Sequence, residues 1–352
     1  MSGDQSLEPR LHVDLDAIAA NWRALDALSA PSVETAAVVK ADAYGLGQAM
    51  VAPVLLRAGA RTFYVAMPFE GARLREILGD EAVIYVLSGY VPGDRHHFER
   101  ASLRPVLNSL RQGNDWFQHG PAGLAAVQVD SGMNRLGLER AEFAALGPLP
   151  DTAVMVMSHL ACADEPTHGQ NAAQRAAFAT MTDGLDRRRS LAATGGILLG
   201  EGFHHDETRP GIGLYGGFPF EAAEPVVTLT APIIQIREVR PGEAVGYGAT
   251  WSPRTPARVA TVSLGYADGL IRATSNRARA SLAGQRLPYA GRVSMDLVCL
   301  DVTHCAEAVE GASVEIIGPD APLDTVAEAA GTIGYELLVA LGGRYQRSYS
   351  GG

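Results

Sequence analysis

The chain has 352 residues, of which 47% are hydrophobic and 19% charged, the balance of a globular protein with room for one large domain or two smaller ones. Lys and Arg number 29 against 39 Asp and Glu, and no basic run offsets the net charge of -10, so nucleic acid and anionic membrane are excluded as partners. The start MSGDQSLEPR lacks an apolar h-region, no apolar run reaches the ~18 residues of a membrane span, and three cysteines, Cys162, Cys299 and Cys305, lack metal-ligand spacing; a cytoplasmic protein with buried free thiols and no metal is expected.

In chain order, a helical pattern over 15–28 is followed by apolar, β-branched runs at 35–40, 62–67, 83–88, 104–108, 125–130 and 153–158, spaced by about 20–30 residues. A second helical pattern covers 171–186, and weaker strands at 190–194 and 207–211 would complete eight units. Near-continuous apolar strands alternating with helices predict a parallel (β/α)8 barrel of the TIM type over residues 1–225. From 226 to 352 the texture changes to short strands, among them 226–239, 257–265, 291–302 and 313–318, interrupted by one helical segment at 323–331. A mostly-β C-terminal domain is expected there, with residues 1–10 a candidate to pack with it.

AVVKADAYGLG, residues 37–47, ends a buried strand on Lys40, which by itself reads as a strand end reaching the surface. Other polar residues fall at the same ends: DSGMNR after the fifth strand, Ser158 and His159 after the sixth, Thr194 and Arg209 after the last two. In a βα barrel these ends share the face on which active sites form. A lysine shielded among cations loses basicity and forms Schiff bases with carbonyls. Glycine-rich turns after the last two strands are where barrels hold phosphate, and a Schiff-base lysine facing a phosphate site suggests pyridoxal phosphate. Each residue also has a plain reading: His159 as a core histidine, Arg135 and Arg209 as surface charges, Met295 as packing, Tyr247 and Tyr266 as turn tyrosines. The pairs His96-His97 and His204-His205 read as exposed loop histidines.

AVVKADAYGLG resembles the cofactor-lysine signature of the alanine racemases. HVDLDAIAANWRAL, DSGMNRLGL, MSHLACAD, RPGIGLYG, VGYGATW, GYADG and GRVSMD resemble the family's other landmarks, in the family's order, over nearly the whole chain. The resemblance implies a homodimer with shared active sites, acting on alanine and supplying D-alanine for cell-wall peptidoglycan or serving alanine catabolism. Lys40 would hold the pyridoxal phosphate and exchange the α-proton on one face; Tyr247 of the partner subunit would serve the other, helped by His159 linked to Arg209. Arg209 would bond the pyridine nitrogen and Arg135 the cofactor's phenolic oxygen and the substrate carboxylate. Tyr44, Thr194, the N–H groups of Gly211 and Ile212, and Tyr335 would hold the phosphate, while Tyr266 and Met295 of the partner would line the substrate entrance.

Three departures stand out. Gln128 occupies the place of a lysine that many members carbamylate, so its amide, or an anion such as chloride, is expected to position Arg135; Ala193-Thr194 replaces an Asn-Ser pair, and Gly246 precedes Tyr247 where serine is frequent. These bear on turnover rate. Competing readings are a same-fold racemase of serine or broader amino acids, a decarboxylase on this fold, which the YGATW tyrosine disfavours, and a non-catalytic cofactor-binding protein, which the C-terminal domain disfavours.

Overall fold

The structure is a computed structural model and describes residues 7–352. Two compact units emerge. One comprises Ile18–Leu214 with Phe218–Ala223; the other comprises the described residues up to Ala17, Tyr215–Gly217 and Glu224–Gly352.

The first unit is a closed parallel barrel. Its strands run Ala37–Val38, Thr62–Val65, Val83–Val86, Arg104–Leu107, Ala125–Gln128, Ala153–Met157, Arg188–Ala193 and Glu207–Arg209, ending at Glu34–Thr35. The two short pieces at the ends of that order are one strand broken at Ala36, and this break closes the circle. Glu34 and Thr35 register with Glu207 and Thr208 on one side, while Ala37 and Val38 register with Phe63 and Tyr64 on the other. The Ala36 and Val38 N–H groups, donated to the carbonyls of Thr208 and Pro210, carry the seam across. All four residues of Thr62–Val65 and of Ala125–Gln128 are buried, as expected for strands covered on both faces, where each buried Val or Phe stabilises by about 1.5–3 kcal/mol. The helix Leu15–Asp26 lies within its predicted span, Gly169–Thr182 starts two residues before and ends four before its own, and the seventh and eighth strands fall at the two weak sites. Each strand stops one or two residues before the predicted run does, so Lys40, His159 and Thr194 lie just past their strands while Arg209 is the last residue of its own.

The second unit is mostly β. Its sheet runs Gln285–Pro288, Arg279–Leu282, Ser313–Ile317, Val227–Val239, Arg10–Asp14, Gln346–Ser350, with Ala257–Val262 and Val298–Asp301 branching from the long strand. The N-terminal strand Arg10–Asp14 is therefore part of this unit, antiparallel to Val227–Val239 and parallel to Gln346–Ser350. Residues 1–6 lie outside the described region. Two helices occur where one was expected, Leu323–Ala330 and Gly334–Ala340. GRVSMD, read as the start of a strand, is a loop: pairing begins only at Val298, because Ser294 turns back on Leu297 through both its N–H and its hydroxyl.

Two minor expectations change. His204 is buried, with Nε2 bonded to the Ile197 carbonyl at 2.9 Å, and His205 is half-buried and meets the Phe178 ring edge-on at 5.2 Å; of the other pair, His96 is exposed and His97 half-buried. Of the thiols, Cys305 is buried, while Cys162 and Cys299 are half-buried.

Candidate active site

Lys40 directly follows Val39, whose N–H completes the first barrel strand on the Tyr64 carbonyl at 2.9 Å. The next four residues, Ala41 to Tyr44, turn in the left-handed sense with φ between 53° and 56°. For non-glycine residues this costs about 1–2 kcal/mol apiece, so the turn persists only because its surroundings hold it. Ala43 and Gly45 donate their N–H groups to the Val39 and Ala41 carbonyls at 3.1 and 2.8 Å, and Asp42 Oδ1 accepts from the Gln48 N–H at 2.8 Å. From outside, Glu70 accepts the N–H groups of Ala41, Ala66 and Met67 at 2.7, 2.8 and 3.0 Å, tying the turn to the end of the second strand. Glu70→Ala is expected to destabilise the fold by about 2–4 kcal/mol, since three charge-assisted bonds disappear together. Urea unfolding measures this, and a change under about 0.5 kcal/mol would contradict the clamp.

Lys40 is half-buried, and burial, then the charge of Arg135, lower its pKa, against an opposing pull from Glu70. Arg135 stands on the loop after the fifth strand. Asp130 shapes that loop by accepting the N–H groups of Gly132 and Met133 on Oδ1, both at 2.8 Å, and of Asn134 on Oδ2 at 2.9 Å. Gly137 has φ 114°, and a Cβ there would lie 2.7 Å from the Asp130 nitrogen, so the return of this loop requires glycine. Gln128 donates its amide to the Leu136 carbonyl at 3.1 Å, bracing the backbone beside Arg135.

Arg209 is buried at the end of the eighth strand. It donates to Ser190 Oγ, to the Ser158 carbonyl at 2.6 Å and to the Leu191 carbonyl at 3.5 Å, stitching three strand ends together. Burial lowers its pKa, yet a guanidinium remains protonated. Gln174, fully buried on the helix Gly169–Thr182, fixes the His159 turn by donating to the His159 carbonyl at 2.9 Å and accepting the Ala161 N–H at 2.8 Å. Part of the His159 edge stays open. Even so, burial and then the charges of Arg209, Arg135 and Lys40 hold the imidazole down to about 3, so it is neutral at physiological pH.

The His159 shift has a stability consequence. An unfolded histidine titrates near 6.5 and the folded one near 3, so between these values the unfolded chain binds a proton that the folded one refuses. The stabilisation is complete above pH 6.5 and is lost as pH falls toward 3. His159→Gln should flatten the acid limb of the stability curve, measured by urea unfolding across that range; an unchanged limb would contradict the assignment.

Thr194, Gly211, Ile212 and Tyr44 form a cradle beside these groups. Thr194 Oγ1 accepts the N–H groups of Gly211 and Gly213 at 3.1 and 3.3 Å, so the Gly211 N–H, expected to face a phosphate, is spent on Thr194 here. A Cβ on Gly211 would overlap the Tyr44 hydroxyl, which brings a phenol, a threonine hydroxyl and bare backbone together. Tyr247, Tyr266, Met295 and Tyr335 belong to the β-rich unit, with side chains 71%, 42%, 53% and 37% exposed. The first three share one loop cluster: Tyr266 and Ala267 donate their N–H groups to the Ser294 and Met295 carbonyls, and a Cβ on Gly248 would meet the Arg292 guanidinium at 2.8 Å. Unforeseen in the sequence were Glu70, Gln174 and Ser190, polar residues with no signature of their own, and the Tyr64–Glu207 pair.

A parallel barrel with a lysine set among cations at one strand end, beside a cradle of hydroxyls and glycine backbone, defines a protein built for an anionic, carbonyl-bearing cofactor held through a lysine. The family model for the alanine racemase N-terminal domain matches residues 13–219, and that for the C-terminal domain matches 226–349. The chain belongs to the alanine racemase family. It is 54% identical over 344 residues to the alanine racemase of Dinoroseobacter shibae, covering 97% of this chain and 98% of that one, and 52% identical over 341 residues to that of Cereibacter sphaeroides, covering 96% and 97%. Among solved structures, an alanine racemase from Bartonella henselae with covalently bound pyridoxal phosphate superposes with a TM-score of 0.91 at 37% identity, over 98% of this chain and 100% of that one. The biosynthetic alanine racemase of Pseudomonas aeruginosa gives 0.92 at 36% identity with the same coverage.

Proposed function

We propose that this protein interconverts L- and D-alanine with pyridoxal phosphate bound through Lys40, in the barrel unit that spans Ile18–Leu214, as a cytoplasmic homodimer. The observation that carries the reading is the convergence of Lys40, Arg135, His159 and Arg209 on one barrel face, each within electrostatic reach of another. The residues suit the cofactor: a lysine of lowered pKa for its aldehyde, a cradle from Tyr44, Thr194, Gly211 and Ile212 for its phosphate, and cations for its oxygens. Tyr335 joins the phosphate ligands by resemblance. Bound there, pyridoxal phosphate supplies an electron-withdrawing ring that acidifies the substrate α-C–H.

The chain's own groups do the rest. Lys40, eased toward its neutral amine, takes or returns the α-proton on one face. Arg135 pairs with the substrate carboxylate, its loop held by Asp130 and Gln128. A chloride between Gln128 and Arg135 would add the negative charge that the amide lacks. Arg209, permanently charged and tied to three strand ends, donates to the ring nitrogen without giving up its proton. Tyr247 of the partner subunit serves the opposite face, with neutral His159 relaying to Arg209, and the partner's Tyr266 and Met295 border the substrate entrance. The exposure of these side chains on the isolated chain supports their burial against a second copy.

The test mixes the loaded protein with L-alanine in deuterated water and follows optical rotation and α-deuterium together. Exchange with loss of rotation is expected. Carbon dioxide release would move the reaction to decarboxylation, and exchange with retained rotation would leave a single active base.

A further inference from the structure

Beneath the proposed cofactor face the barrel core holds charge that the reaction scheme does not use. Barrel interiors are ordinarily filled by branched apolar side chains. Here Glu207, two residues before Arg209, is fully buried. Its Oε1 accepts a hydrogen bond from the Tyr64 hydroxyl, and its Oε2, without a hydrogen bond, lies 3.5 Å from Arg188 Nη2. Arg188 is held at 2.7 Å by Glu34. Tyr64 stacks on Tyr85 at 5.2 Å between centroids, and its ring also faces Arg209, whose Cζ is 6.0 Å from the centroid. Ser190 completes the link, donating its hydroxyl to the Glu207 carbonyl at 2.6 Å while accepting from Arg209.

A carboxyl, a phenol and a guanidinium buried together cost several kcal/mol unless each stabilises another. On the site face, Arg209 shares its surroundings with the cations Lys40 and Arg135. The groups that favour its charged form are Tyr64 and Glu207. We propose that the Glu207 carboxylate, acting through Tyr64, is the counter-charge and positioning group that holds Arg209 against the cofactor ring. The inference rests on the assignment of Arg209 to the pyridine nitrogen. Burial pushes the Glu207 carboxyl up to about 7, against the lowering effects of Tyr64, Arg188 and Arg209 and with the raising effect of Glu34, so the group is an anion in mildly alkaline solution.

With Glu207 ionised, the guanidinium is a hydrogen-bond donor whose field on the ring is partly cancelled. Without it the full cationic field would withdraw more electron density from the ring, and more turnovers would return the proton to a carbon of the cofactor instead of the substrate; water would then release pyruvate while the amino group stays on the cofactor as pyridoxamine phosphate.

The experiment uses the loaded dimer at about pH 8.5, where the carboxyl is ionised. It compares the wild type with Glu207→Gln, Tyr64→Phe and Arg209→Gln, reading the visible absorption band of the bound cofactor, pyruvate formed per D-alanine, and melting temperature. Glu207→Gln should shift the band and raise the pyruvate ratio about fivefold, equal to ~1 kcal/mol between two competing steps. Tyr64→Phe, which keeps ring and carboxylate, should move both the same way by about twofold, and decides the matter if Glu207→Gln does not fold. If Arg209→Gln moves both readouts while the other two variants alter only melting temperature, Glu207 is structural and the inference falls alone. If Arg209→Gln moves neither, the assignment of Arg209 falls and takes the inference with it.

Discussion

Lys40→Ala is expected to abolish covalent cofactor attachment and to lower alanine racemisation by at least ~10³-fold, because the variant loses both the amine that anchors the cofactor and the base on one face of the substrate. Borohydride reduction followed by intact mass measurement reads the first effect directly: the wild type should gain the mass of one reduced cofactor per chain and the variant none. The fold should tolerate the change. Lys40 is half-buried with a lowered pKa, so its ammonium form is a desolvation cost to the folded state, and removing it leaves no carboxylate stranded beyond Glu70, which keeps its three backbone N–H donors. A variant that still carries covalent cofactor would show that another lysine holds it.

Tyr247→Phe should separate the two faces. Exchange of the α-proton of L-alanine is expected to fall by about 10²–10⁴-fold, the contribution of a well-placed acid–base group, while exchange on D-alanine stays within about tenfold of the wild type. Racemisation falls in both directions because each needs both groups. Tyr247 is 71% exposed on the isolated chain and sits in a short turn beside Gly246 and Gly248, so the lost hydroxyl costs the fold little. Single-turnover deuterium exchange on each enantiomer distinguishes the outcomes; equal losses on both would assign Tyr247 a binding role instead.

Much of this was legible in the sequence because parallel strands covered on both sides read as apolar runs, and their ends as the first polar residue after each run. Lys40 stands out in that way and His159 beside Ser158, whereas Arg209 lies on a weak strand placed only because eight units close a barrel. The closure of the barrel was less visible. It depends on one strand splitting at Ala36 to pair in two directions, and nothing in TAAVVK marks the break. The hairpin Arg279–Leu282 with Gln285–Pro288 and the edge strand Gln346–Ser350 escaped because alternate exposed positions dilute their apolar signal. The left-handed turn after Lys40 was hidden for another reason: alanine and tyrosine are not left-handed formers, and the conformation is imposed by Glu70, Asp42 and two glycines. Glu207 reads in sequence as an ordinary charged residue. Only the alternation of a strand that also carries Arg209, together with a tyrosine on Thr62–Val65, one strand beyond the split first strand, turns it into part of the site.

The measurement that bears most directly on two opposed bases from different subunits is complementation between inactive variants. Lys40→Ala and Tyr247→Phe chains are unfolded or dissociated together, reassembled with cofactor, and assayed for racemisation. In a mixed dimer, one site combines an intact Lys40 with an intact Tyr247 from the other chain, so random reassortment should restore about a quarter of wild-type activity. If mixing restores nothing while mixed dimers demonstrably form, lysine and tyrosine act within one chain and the shared site is contradicted.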